Sequence, residues 1–113
     1  MRPGEIYLAS FPFGDAPGMK LRPVLLLTAP VGPIPEILVA YISSVVPSTL
    51  LPSDVMLDPA RPEHHSTNLK TASVLRLHKL ATIHATSVVR FLGVLEPATR
   101  AEVAVKLKVL LGL

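Results

Sequence analysis

The segment GEIYLASFPFGDAPGMKLRPVLLLT, from Gly4 to Thr28, decides the fold class of this chain. It begins with a short alternating stretch, Glu5 to Phe11, and ends with an apolar run, Pro23 to Ala29. A Pro/Gly-rich stretch, Pro12 to Gly18, separates the two. Alternation with period two predicts a β-strand, and a cluster of proline and glycine predicts a loop. The segment therefore indicates a strand, a loop and a second strand.

Arg22 lies where the predicted loop meets the second strand, two residues after Lys20. Pro23 has a fixed φ and favours extended geometry in the residue before it. The planar guanidinium matches a phosphate and stays charged at every relevant pH, which suits a phosphoryl transition state better than general-base catalysis. The alternative interpretation of Lys20 and Arg22 is a pair of solvated charges at a loop end.

Length and composition limit the class of protein. The chain has 113 residues, half of them hydrophobic, which predicts one folded domain spanning residues 1–113. The net charge of +3 and pI near 9.6 favour an anionic partner, although excess Lys and Arg also serves solubility. The absence of cysteine excludes disulfides and thiolate nucleophiles. Without an apolar signal region or a run of about 20 apolar residues, we expect a cytoplasmic protein.

Further short apolar segments follow the first two strands at regular intervals. Twelve prolines argue against a mainly helical protein, and the spacing predicts a small antiparallel barrel or a strongly coiled sheet. The polar stretch Pro59 to Lys70 predicts a surface loop, whereas Lys79 to Ser87 fits a strand end, a turn or a short helix equally well. The remaining predicted strands are Glu36 to Ser43, Ser53 to Leu57, Ala72 to Leu77 and Val88 to Leu95.

The end of the chain predicts one helix, because Pro97 suits a first turn and Gly112 a C-terminal stop. The spacing of its apolar residues predicts two stripes. The first stripe, expected to face the core, contains Val103, Leu107, Leu110 and Leu111. The second is either tolerated surface residues or a contact with a twin subunit or partner peptide, and contains Ala98, Val105 and Val109.

Other polar residues have two interpretations each. Ser43 and Ser44 either cap a turn at a strand end or donate hydroxyl hydrogen bonds to a phosphate oxygen. Arg76, Lys79 and Arg90 are either isolated charges or part of a groove for a polyanion. The chain has few aromatic residues on which bases could stack. If it binds nucleic acid, contacts to phosphates and base edges must therefore dominate.

The four histidines do not predict a metal site. His64 and His65 are adjacent and would point apart in an extended loop, and the chain lacks both cysteine and an H-E-x-x-H motif. His78 and His84 are either separate surface residues or an acid and a base for RNA cleavage.

Three blocks, in order, resemble the PemK/MazF family of toxin ribonucleases. They are Gly4 to Thr28, Ile37 to Ser44 (ILVAYISS) and Leu69 to Leu95 (LKTASVLRLHKLATIHATSVVRFLGVL), followed by the helix that ends in LLGL. The resemblance implies a mainly β (α+β) fold, a small SH3-like barrel of the PemK/MazF/CcdB type with a C-terminal α-helix. Members of the family are usually homodimers.

The family resemblance also implies an activity. Members cut single-stranded RNA at short sequences without a metal or other cofactor, and an antitoxin peptide neutralises them. The catalytic arginine of the family matches Arg22, and its catalytic Thr or Ser matches Ser43. The gating loop, Phe13 to Lys20, includes Phe13, Gly14, Asp15 and Gly18. We expect four further residues to bind RNA: Lys20, Ser44, Arg76 and Lys79.

The chain departs from the family pattern in places. Serine replaces the commoner threonine at Ser43, and His78 and His84 stand where many relatives carry acidic residues. Two other functions are alternatives: a non-enzymatic toxin that acts by protein binding, like the CcdB gyrase poisons, and a catalytically inactive relative. Arg22 together with Ser43 favours the enzyme, whose substrate would supply its own 2′-hydroxyl as nucleophile.

Overall fold

The computed structural model describes residues 1–11 and 20–113. Six antiparallel strands form one curled sheet in the order β4-β5-β3-β2-β1-β6, an open half-barrel, and one α-helix follows it. The strands are β1 Glu5–Phe11, β2 Lys20–Leu26, β3 Glu36–Ser43, β4 Asp54–Leu57, β5 Ser73–His84 and β6 Val88–Val94. The helix α1 is Pro97–Leu111, and two 3₁₀ helices are Pro62–Thr67 and Ala85–Ser87. The predicted mainly β fold with a C-terminal helix is confirmed.

Two strands extend beyond their predicted bounds because their pairing continues further. β2 begins at Lys20 rather than Pro23, since its ladder with β1 continues to the pair Phe11 and Lys20. β5 continues to His84, because its second half pairs with β3 as far as Glu36. The segment that the sequence left undecided is therefore mostly strand, with the short 3₁₀ helix at its end.

Alternation along the strands divides the core between the two faces of the sheet. Ile6 pairs with Leu25, and Leu25 with Ala40, so that these buried residues share one face. Val24 and Ala9 belong to the cluster on the other face. The first cluster is completed by residues from β4, β5 and α1, including Val55, Leu57, Leu75, Leu77 and Val103. The second is completed by Leu26, Ile37, Val39 and Ile83.

The stretch Pro59 to Lys70 is not a simple surface loop. Its 3₁₀ helix lies against β6, where Ser66 Oγ donates a hydrogen bond of 2.7 Å to the carbonyl of Val94. Thr67 is completely buried and Leu69 is only 8% exposed, so the prediction of surface exposure is wrong for these two residues.

Helix α1 packs on the sheet as far as Leu107, and its last residues do not. Val103 is buried, but Leu110 and Leu111 are 39% and 54% exposed, so their predicted place in the core is wrong. The reason is that the last turns stand away from the sheet and leave a groove of about 410 Å³ beside Pro52 and His78. In residues 1–11 and 20–113, no helix combines the length and the apolar character that crossing a membrane requires.

Candidate functional site

The register between β2 and β3 relates the two residues predicted to be catalytic. Val24 pairs with Tyr41 as the last bonded pair of this ladder. Arg22 and Ser43 each lie two residues beyond this pair, and period two puts both on the face of Val24 and Tyr41. Arg22 and Ser43 therefore lie on neighbouring strands and on one face of the sheet, beyond the last bonded pair of the β2–β3 ladder.

The hydroxyl of Ser43 takes part in a local turn. Its Oγ accepts a hydrogen bond from the backbone N–H of Val45 at 3.1 Å and donates to the carbonyl of Val45 at 3.4 Å. The residue is 8% exposed. The donated bond is long and therefore weak, so the hydroxyl can exchange it for a stronger acceptor such as a phosphate oxygen. The turn-capping role and the phosphate-binding role of Ser43 are thus compatible.

A pocket of about 400 Å³ connects Arg22 to residues distant in sequence, and we call it the Arg22 pocket. Arg22, Lys70 and Arg90 line it together with the hydroxyl-bearing residues Ser44 and Thr71. No carboxylate is among its described lining residues, and none of the three cations forms an ion pair within residues 1–11 and 20–113. The pocket is therefore electropositive and suited to an anion.

Two long-range contacts bring Arg90 and Lys70 to this pocket. Arg90 arrives through β6, where it pairs with Leu8 of β1, and Leu8 also pairs with Pro23 of β2. Lys70 follows Asn68, whose side chain donates a 2.7 Å hydrogen bond to the carbonyl of Leu92. Sequence reasoning had grouped Arg90 with possible groove residues but missed Lys70, for which the sequence offers no local signal.

The other predicted RNA-binding residues lie in different places. Arg76 Nε donates a 3.0 Å hydrogen bond to Oδ1 of Asp54, whose side chain is completely buried. The ammonium of Lys79 lies 5.5 Å from the centre of the Tyr41 ring, which is cation–π geometry. Lys20 is exposed at the start of β2. Of the predicted set, only Ser44 lines the Arg22 pocket.

The predicted gating residues are Phe13, Gly14, Asp15 and Gly18, and all four lie outside the described residues. Their role stays a prediction.

Six paired residues, one from each strand of the sheet, form a row that contains the described aromatic rings. The ring of Tyr7 contacts the ring of Phe91 edge to face, with centroids 5.4 Å apart and planes at 74°. Tyr41 lies on the same face, separated from Tyr7 by Val24. In sheet order from β6 to β4, the row is Phe91, Tyr7, Val24, Tyr41, Arg76 and Asp54. Tyr7, Tyr41 and Phe91 are thus on the face that carries Arg22.

The fold raises the pKa of Tyr7, which belongs to this row. Burial, the negative charge of Glu5 and a 3.3 Å hydrogen bond from the phenol to Glu5 Oε1 together raise the pKa of Tyr7. The phenol therefore stays neutral at physiological pH and serves as a hydrogen-bond donor.

The histidines do not converge on the site. His78 and His84 are six positions apart on β5, a span of about 20 Å in a strand. Such a distance is too long for an acid and a base on one phosphate. Within the part of the chain that the structure describes, no group of three histidine, aspartate or glutamate side chains is placed to hold a metal ion.

Comparisons with known proteins identify the family. A family model described as PemK-like, MazF-like toxin of type II toxin-antitoxin system matches residues 2–111. No protein of curated function shows significant sequence similarity to the chain.

The fold is similar to that of several solved toxins. The Mycobacterium tuberculosis toxin MazF-mt6 aligns with a TM-score of 0.74 and 25% identity over 96% of this chain and 97% of its own. A mycobacterial endoribonuclease in complex with its cognate antitoxin aligns with a TM-score of 0.71 and 18% identity, covering 100% and 96%. The MazE-MazF structure from Deinococcus radiodurans gives 0.68 and 19%, covering 100% and 97%. Because the family model spans nearly the whole sequence, the chain belongs to the PemK-like, MazF-like toxins of type II toxin-antitoxin systems.

Proposed function

We propose that this toxin is a metal-independent, sequence-specific endoribonuclease that cleaves single-stranded RNA and uses no cofactor. Membership of the family supports the reaction class. The observation that carries the assignment of residues is the register that relates Arg22 to Ser43 across β2 and β3. Single strands are the natural substrate, because their phosphates and bases are free to enter a pocket at a sheet end.

In the proposed mechanism the substrate provides its own nucleophile. The ribose 2′-hydroxyl attacks the adjacent phosphorus and gives up its proton to solvent, the bond to the 5′-oxygen of the next nucleotide breaks, and that oxygen takes up a proton from solvent. The products carry a 2′,3′-cyclic phosphate and a free 5′-hydroxyl. Arg22 stabilises the charge that accumulates on the phosphorane oxygens, and Ser43 donates its hydroxyl to one of them. Proximity of the hydroxyl to the phosphorus supplies much of the rate.

The remaining predicted residues bind the RNA around this centre. Ser44 does so from within the Arg22 pocket, and Lys20, Arg76 and Lys79 do so from positions outside it. The residues Phe13, Gly14, Asp15 and Gly18 form the gate. Arg76 contributes least, because its guanidinium is already held by the buried carboxylate of Asp54.

The toxin acts in the cytoplasm as a homodimer, and an antitoxin peptide inhibits it. Solved relatives in complex with antitoxins support the second statement. The exposed apolar side chains at the end of α1 support a further buried contact, since Val105 is 62% and Val109 77% exposed.

The test uses purified protein and an RNA of defined sequence. Arg22→Ala is expected to lower the cleavage rate about 10²–10³-fold while leaving the melting temperature unchanged, because one electrostatic contact to the transition state is lost. A single 2′-deoxy nucleotide just 5′ of the scissile phosphate is expected to stop cutting at that bond. EDTA is expected to leave the rate unchanged.

Lys108→Ala is the matched control, since Lys108 is an exposed cation on α1 outside the Arg22 pocket. Wild-type cleavage by folded Arg22→Ala protein would overturn the assignment of Arg22, and continued cutting at the deoxy position would overturn the nucleophile. A protein that arrests growth without cutting any RNA would instead act by protein binding.

A further inference from the structure

The geometry points to Lys70 and Arg90 as a second phosphate subsite, which binds an RNA phosphate next to the one that is cleaved. The inference rests on the proposed function, because it adds residues and a substrate contact to the same site. Both side chains are exposed, both line the Arg22 pocket, and neither forms an ion pair within residues 1–11 and 20–113.

Charge is the first argument for an anionic ligand at this position. Two exposed cations, Lys70 and Arg90, line a pocket with no described carboxylate, and like charges held near one another without counter-ions repel. A ligand with more than one negative charge relieves that repulsion. The neutral lining includes hydroxyl and amide donors from Ser44, Thr71 and Asn68, which suit phosphate oxygens.

Strand geometry separates Arg90 from Arg22. β1 lies between β2 and β6, so the two arginines belong to strands about 10 Å apart. Arg22 pairs with Ala9 and Arg90 pairs with Leu8, and consecutive residues of a strand face opposite sides. The two side chains therefore leave the sheet on opposite faces, and Arg90 shares its face with Leu8 and Pro23 of the pocket wall. A phosphate bound by Arg90 is thus a different phosphate from the one bound by the Arg22 guanidinium.

The backbone around Lys70 is held in place before any ligand binds. Asn68 has a left-handed conformation with φ of 54°, and its amide is tied to Leu92 O. The neighbouring residues Leu69 and Ser73 are buried at 8% and 4% exposure. Lys70 thus extends from an anchored segment, and its side chain alone has to be ordered on binding, which reduces the entropic cost of the contact.

An acidic protein segment is the competing occupant of this subsite. RNA is favoured because the subsite adjoins Arg22 in one pocket, so that a polymer with a negative charge at each nucleotide occupies both at once.

The first experiment measures binding with a non-cleavable probe, a short oligoribonucleotide that carries 2′-O-methyl at the scissile position. Lys70→Ala and Arg90→Ala are each expected to weaken binding about tenfold, the effect of losing one charged hydrogen bond. Each is also expected to reduce the slope of log K against log salt by about 0.7, the value for one phosphate contact on a single strand. Lys108→Ala is expected to change neither quantity.

The second experiment replaces one phosphate of the probe at a time with a neutral methylphosphonate. Wild-type protein is expected to lose affinity when a phosphate next to the scissile one is neutralised, and Arg90→Ala protein is expected to be insensitive to that replacement. With a cleavable RNA, Arg90→Ala is expected to raise KM with little change in kcat, because the contact is the same in the ground state and the transition state.

Unchanged binding and salt slope in both variants would overturn the inference, as would a fall in kcat at constant KM for Arg90→Ala. Loss of affinity for an acidic peptide without loss of RNA affinity would assign the subsite to a protein partner instead. Because the probe reports binding alone, RNA binding that depends on Lys70 and Arg90 in a protein that cuts nothing would support the subsite and refute the ribonuclease.

Discussion

Gly93→Ala tests how β6 holds the segment that carries Lys70. A Cβ atom added at Gly93 would lie 2.1 Å from the carbonyl oxygen of Ser66 and 2.6 Å from the carbonyl carbon of Thr67. Both atoms belong to the backbone, so no side-chain rotation relieves the contact. Since ordinary contacts begin at 3.4 Å, the 3₁₀ helix and β6 must separate by about 1 Å.

The energetic cost follows from what this separation disturbs. Overpacking of a close contact costs about 1–3 kcal/mol. The hydrogen bonds from Ser66 to Val94 and from Asn68 to Leu92 join the same two segments, and weakening both adds about 1–2 kcal/mol. A loss near 3 kcal/mol corresponds to a fall in melting temperature of roughly 12 °C for a domain of this size.

Thermal unfolding followed by circular dichroism measures this fall, and RNA binding by the folded variant measures the effect on the pocket. Gly112→Ala is the matched control, because Gly112 has φ of +70° and no atom within 4 Å of an added Cβ, so that only backbone strain of about 1 kcal/mol is expected. A Gly93→Ala protein that melts within about 2 °C of wild type would refute the described contact. Weaker RNA binding at a temperature where the variant is folded would connect this contact to Lys70.

Four further predictions concern other parts of the chain. Glu5→Gln is expected to lower the pKa of Tyr7 toward its ordinary value, since one charge that raises it is removed; ultraviolet titration with the other tyrosine changed to phenylalanine measures this. The same raised pKa means that stability from Tyr7 is full below pH 10 and is lost as the pH rises through its folded-state value, so urea unfolding at increasing alkaline pH should show a smaller loss in Tyr7→Phe protein. Asp54→Ala is expected to cost about 3 kcal/mol, because it leaves Arg76 without its buried partner, and a double-mutant cycle with Arg76→Met should recover part of that loss. Val109→Glu is expected to shift sedimentation from dimer to monomer without lowering the melting temperature of the monomer, and an unchanged dimer would place the interface elsewhere.

Local signals explain which parts of the fold the sequence predicts. Alternation identified β1, Pro23 and the apolar residues after it identified the extended segment that is part of β2, and Pro97 with Gly112 bounded the helix. Each of these signals acts within a few residues of the structure that it specifies.

The parts that the sequence did not predict depend on distant partners. The outer half of β5 is a strand because it pairs with β3 across more than forty residues, as His84 does with Glu36. Leu110 and Leu111 have helical spacing that suits a core, but within residues 1–11 and 20–113 the last turns of α1 border an open groove rather than a packed element. Periodicity gives the direction of a side chain relative to its own helix, and it does not show whether a neighbour is present on that side.

The residues of the candidate site also divide into those predicted from local signals and those placed by contacts with distant residues. Arg22 was predicted from its place before Pro23 and Ser43 from the end of a predicted strand, and the family resemblance implies the catalytic roles of both. Lys70 joins them only through bonds between residues 28 and 24 positions apart, Ser66 to Val94 and Asn68 to Leu92. A substitution in the segment after β4 is therefore expected to weaken the proposed phosphate contacts of Lys70 while Arg22 and Ser43 stay in place. The proposed catalytic pair lies on two neighbouring strands, β2 and β3, whereas the proposed phosphate subsite depends on how the segment after β4 is hydrogen-bonded to β6.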